Sequence, residues 1–195
     1  MALIIQLLIT QIKRYFFSSF FLQIILLNLI LILIFKICIN FNHMFNLFWV
    51  INLFFIFFCL DNLFQKDFLD HCLELFYLSK VSLYFYIVLQ YFFFWFFYQL
   101  PFLLFMIYCY AFSIYEIYAL ILGSLSLTLL SGFINSLTLY LIDKNFIYSI
   151  MVYPLYLPIL IYGTNLEILK LFMISLILFL IIPLLTSYIL LQNIK

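Results

Sequence analysis

Apolar residues run along this chain almost without interruption, and its elements are marked by the few places where polar residues break in. A helix needs about 20 apolar residues to cross a hydrocarbon core about 30 Å thick. The first apolar run, residues 1–14, closes at Lys13-Arg14 and is too short to span. It is predicted to lie as a helix in the plane of the interface. Six crossings follow, at residues 15–37, 47–64, 81–108, 117–142, 146–162 and 168–191. The first is closed by the polar patch Asn40, Asn42, His43 and Asn46. The expectation is an all-α polytopic membrane protein, one transmembrane domain over residues 1–195, with both termini on one side.

Composition excludes a soluble globular protein. The chain is 70% hydrophobic with a mean hydropathy of +1.34, and its charged fraction is 8%, where a soluble domain carries about 25%. A net charge of +1 gives nucleic acid nothing to bind, so the lipid bilayer is the expected surrounding partner. Phe, Ile, Leu, Tyr and Asn are abundant while Gly and Pro number 3 and 4, a bias that a very A+T-rich genome imposes on apolar sequence. The first residues lack the Arg- and Ser-rich amphipathic character of a transit peptide. An organelle-encoded protein of the mitochondrial inner membrane is therefore expected, with a bacterial inner membrane as the alternative.

Basic residues orient the bundle. With the N-terminus inside, Lys13, Arg14, Lys66, Lys80, Lys144 and Lys195 are inside, and Lys36 and Lys170 are outside, as the positive-inside rule requires. The inner connections are then residues 61–80 and the Asp143-Lys144 turn. Asp61, Lys66, Asp67, Asp70, Glu74 and Lys80 crowd the first of these. Phe64, Phe68, Cys72 and Phe76 recur every four residues there, with Leu69 and Leu73 beside them, while Lys66, Asp70 and Glu74 line another face with Asp67 and His71 adjacent. That periodicity predicts an amphipathic interfacial helix. As a solvated loop it needs no partner; as a docking helix it offers an acidic face to a soluble protein.

Within the fourth crossing Ser124, Thr128, Gly132 and Ser136 recur every four positions, a small-residue seam that lets another helix approach closely. The fifth holds Pro154 and Pro158, each of which removes a backbone N–H, so a kinked or broken helix is expected. Pro101 and Pro183 should kink the third and sixth. Such kinks either shape the bundle or serve as hinges. Cys38, Cys59, Cys72 and Cys109 show no metal-ligand spacing, and His43 and His71 fall on opposite sides of the membrane in this topology, so they cannot share one iron. No GxxxxGK[ST] phosphate loop is present, and glycine occurs only at 123, 132 and 163. The chain itself is therefore expected to be neither an ATPase nor an enzyme of any other kind.

Two blocks carry a family resemblance. Leu63-Phe64-x-x-Asp67-Phe68-x-Asp70-x-x-Leu73-Glu74 followed by Leu78-Ser79, together with Pro154-Leu155-Tyr156-Leu157-Pro158 running on to Gly163, resembles CcmB, the haem exporter B family of the cytochrome c maturation system. The first block is shared loosely with other ABC-2-type permeases, and the second is more particular to CcmB. The sequence departs from the family at His71, where glycine is usual, and at Lys80 and Ser82, where proline is frequent.

The resemblance implies an ABC-2 or type V exporter-like membrane subunit. ATP would sit on a CcmA-like ATPase, and haem on other subunits, with no cofactor on this chain. CcmC-like and CcmD-like membrane subunits and a CcmE-like haem chaperone complete the implied complex, in which two copies of this chain are compatible. ATP hydrolysis by the partner would drive release of the haem-loaded chaperone. It also implies docking by Asp67, Phe68, Asp70, Leu73, Glu74, Leu78 and Ser79, and a hinge at Pro154, Leu155, Tyr156, Pro158 and Gly163. The competing reading is a structural or proton-translocating subunit of a respiratory-chain complex. It needs ionisable groups at membrane depth, and Asp61, Glu116, Asp143 and Glu167 all fall near the ends of crossings.

Overall fold

The structure is a computed structural model that describes residues 26, 30, 45, 46, 48–53, 64, 67, 82–109, 112–139 and 144–194. Among the described residues the elements are α1 (Leu83–Phe94), a π turn (Trp95–Gln99), α2 (Leu100–Cys109), α3 (Ile114–Thr138), α4 (Lys144–Thr164) and α5 (Ile168–Ile194). Three continuous stretches of the described residues are long and apolar enough to cross a membrane: Leu83–Tyr108, Ile114–Thr138 and Ile168–Gln192. α4 adds 21 helical residues. These helices match the last four predicted crossings to within a few residues at each end. The interfacial helix 1–14 and most of the first two crossings lie outside the described residues, although 48–53 are helical.

The third crossing is one rod of three parts because of Pro101. Proline has no N–H for the carbonyl four residues back, so the helical ladder cannot pass it in register. Just upstream the ladder widens, and the Leu100 N–H donates to the Trp95 carbonyl five residues earlier. Pro101 then occupies the first turn of α2, where a missing donor costs nothing. The expected disturbance takes this form, a π turn.

α3 is the buried helix of the bundle, with α5, α4, α1 and the π turn packed around it. Its start is set by a capping box: Ser113 Oγ accepts from the Glu116 N–H at 3.4 Å, and Glu116 Oε2 accepts from the Ser113 N–H at 2.7 Å. Its many hydroxyls cost little inside the bundle because each donates to its own helix. Ser124, Ser126, Thr128 and Ser136 reach the carbonyls of Ile121, Gly123, Leu125 and Phe133 at 2.6–2.9 Å. None of these four α3 hydroxyls is left without an acceptor in the apolar interior.

α4 and α5 form an antiparallel hairpin through Asn165, Leu166 and Glu167. The Glu167 N–H donates to the Tyr162 carbonyl at 3.0 Å and the Leu166 N–H to the Gly163 carbonyl at 3.2 Å, a Schellman close. Leu166 occupies its left-handed position at φ 57°. Of the kinked or broken helix expected at Pro154 and Pro158, the broken form does not occur: α4 runs unbroken through both, as α5 does through Pro183. Each proline deletes single ladder bonds, and the remaining bonds hold the helix in surroundings where unpaired backbone is more costly still.

Candidate functional site

Two clusters join separate parts of the chain, and both converge on α3. The first fastens the acidic segment to α1. Tyr86 and Gln90 lie four residues apart, hence on one face of α1, and both are buried, as is Asp67. The Tyr86 hydroxyl donates to Asp67 Oδ2, and Gln90 Nε2 donates to the same oxygen at 3.0 Å and to the Tyr86 hydroxyl at 2.5 Å. A buried carboxyl group requires such donors. One turn before it, Phe64 is fully buried and meets the Tyr91 ring edge-on at 5.9 Å. Tyr91 in turn presses on the backbone of Gly132 in α3, where a Cβ would overlap its ring.

Asp67 thus departs from the arrangement that the sequence pattern predicts. Counted with the acidic residues, it belongs to an outward face; in the structure it turns inward with Phe64. The spacing permits both, since i and i+3 share a face, and the donors on α1 decide between them. Phe68, Asp70, Leu73, Glu74, Leu78 and Ser79 lie outside the described residues.

The second cluster seats Trp49. Its indole touches the backbone of both α3 and α4: a Cβ on Gly123 or on Gly163 would overlap the six-membered ring. The Tyr156 hydroxyl donates to the Trp49 carbonyl at 2.5 Å, and Phe48 stacks on Phe102 of α2 at 5.3 Å. Of the proline block, Tyr156 is buried and Gly163 carries the close approach, while Pro154, Leu155 and Pro158 are exposed. The Ser124, Thr128, Gly132 and Ser136 seam is buried throughout. Ser124 also accepts from the Trp95 indole N–H at 3.0 Å.

Sequence reasoning missed Tyr86, Gln90 and Trp49. Gln90 carried a usable signal: with Gln99 it is one of two amides in the apolar run 83–109, and a polar residue at that depth needs a partner. Trp49 carried none, being one aromatic among many. Glu116 and Glu167 serve helix starts, the first in the capping box and the second in an ion pair with Lys170 at 2.5 Å. Among the described residues no cluster of three or more His, Cys, Asp or Glu could hold a metal.

These features define a multi-pass helical membrane protein whose polar contacts join helices to one another. The family model for CcmB protein matches residues 19–175, and the chain belongs to that family. CcmB proteins are permease-type membrane subunits, not catalytic enzymes, and they are membrane components of haem export for cytochrome c maturation, working with a CcmA ATPase and other Ccm components in an ABC-like system. No curated protein matches the chain.

Proposed function

We propose that this chain is the membrane subunit through which ATP hydrolysis on a CcmA-like partner drives release of a haem-loaded, CcmE-like chaperone. CcmC-like and CcmD-like subunits neighbour it in the mitochondrial inner membrane, with haem on those other subunits and ATP on the ATPase. The observation that carries this reading is the family match over residues 19–175, which includes both the acidic segment 61–80 and the proline block. In this reading six helices cross the membrane and the acidic segment lies on the inner face. Asp70 and Glu74 meet the ATPase, with Phe68, Leu73, Leu78 and Ser79 supporting them and Asp67 anchored to α1. The exposed Pro154 and Pro158 make α4 the helix that flexes as the signal passes to the outer face, since each has given up a ladder bond.

Truncating or reversing one member of a desolvated charge pair costs about 2–5 kcal/mol of binding. Glu74→Lys should therefore detach the ATPase in co-purification while the membrane bundle keeps its yield and helicity. Retention of the ATPase at wild-type yield would remove Glu74 from the contact. Co-purification of the wild-type chain with a respiratory complex and no ATPase would overturn the function itself.

A further inference from the structure

Asp67 is the one described residue that joins the acidic segment to a membrane crossing through hydrogen bonds. Its bond to Gln90 closes a triangle with Tyr86, because Gln90 also donates to the Tyr86 hydroxyl. Each of the three side chains thus holds the other two. The attachment is doubled one turn away by Phe64 against Tyr91, and the order runs in opposite directions along the two strands of chain: 64 meets 91, and 67 meets 86 and 90. Two contacts in antiparallel order fix both the position and the rotation of this part of the segment on α1. Behind α1, Tyr91 rests on the backbone of Gly132 with no side chain between, so α1 cannot shift there without displacing α3.

From this arrangement we infer that Asp67, Tyr86 and Gln90 are positioning residues that clamp the start of the acidic segment to α1, so that the two move as one body and carry a displacement of the segment directly to α1 and α3. The clamp is a coupling element and no part of the surface that a soluble partner touches. This rests on the reading that residues 61–80 meet an ATPase. The wild-type complex tests that reading separately.

The experiment uses the full chain, its four cysteines at 38, 59, 72 and 109 replaced by Ala, assembled with its ATPase and haem-loaded chaperone in lipid nanodiscs. Three quantities are read: ATPase co-purification, ATP hydrolysis, and chaperone released per ATP hydrolysed. In Asp67→Cys/Gln90→Cys the ATPase should stay bound while release per ATP falls about tenfold, as loss of a buried hydrogen bond to a carboxyl group predicts. Bridging the two thiols with a short bifunctional crosslinker should restore release. A residue needed only for folding would show no such recovery. Tyr86→Phe, which removes one hydroxyl, should lower release per ATP in the same direction, and it serves where the double cysteine variant does not fold. Loss of ATPase binding in these variants would overturn the inference by making Asp67 part of the partner's contact. Unchanged release per ATP, or a crosslinked protein that stays uncoupled, would overturn it as well. A wild-type chain that binds no ATPase would instead fail the underlying reading, before any variant is compared.

Discussion

Gly163→Ala separates two opposing effects by sign. Gly163 lies inside α4, and replacing a helical glycine with alanine in the absence of other contacts stabilises by about 1 kcal/mol. Here the added methyl would enter the Trp49 indole. That ring is fully buried and also rests on the Gly123 backbone of α3, while the Trp49 carbonyl is held by the Tyr156 hydroxyl. A rigid ring fixed from several sides cannot yield, so overpacking should cost about 1–3 kcal/mol, toward the upper figure. The net effect is a loss of about 1–2 kcal/mol. Reversible unfolding by SDS titration in mixed micelles, followed by helicity and by the fluorescence of the two tryptophans, gives the difference. In a Trp49→Leu background the ring is gone, and the same substitution should turn stabilising by about 1 kcal/mol. Stabilisation by Gly163→Ala in the wild-type chain would refute the proposed seat for Trp49.

Other substitutions reach separate parts of the structure. Leu166 occupies the left-handed position at the close of α4; Leu166→Gly relieves about 1–2 kcal/mol of backbone cost and returns about 0.5–1 through a freer unfolded chain. A gain of about 0.5–1 kcal/mol in the same SDS titration is expected, and a loss would contradict the assigned turn. Single cysteines at Asn42 and Glu167 should be labelled by a membrane-impermeant thiol reagent from the face opposite to cysteines at Lys80 and Lys195; labelling from a shared face would sink the six-crossing topology. Pro154→Ala/Pro158→Ala restores two ladder donors to α4. It should stabilise the chain and leave ATPase docking intact while blocking chaperone release, and normal release would reduce these prolines to shaping the bundle.

The helices were legible because lipid makes their rule one-dimensional. A crossing must be long, apolar and closed in its own backbone bonds, so composition and the positions of polar breaks located the last four long helices without any knowledge of neighbours. The disturbance at Pro101 was readable on the same local terms, although not that it would be a π turn; the capping box of Ser113 and Glu116 is equally local and was missed. The seam of Ser124, Thr128, Gly132 and Ser136 followed from periodicity alone. What the periodicity could not say is what each small residue receives: Gly132 admits Tyr91 of α1, Gly123 admits Trp49, and Ser124 takes the Trp95 indole N–H. Where every helix is apolar on all sides, hydrophobic pattern ceases to mark a buried face, because lipid and protein neighbours are equally favourable to it. Which face turns inward is then settled by close approach and by the few polar groups that must find each other. Asp67 illustrates both halves: its charge and its place near Phe64 were plain in the sequence, but only the donors of Tyr86 and Gln90, brought to it from 19 and 23 residues away, decided that it faces the bundle.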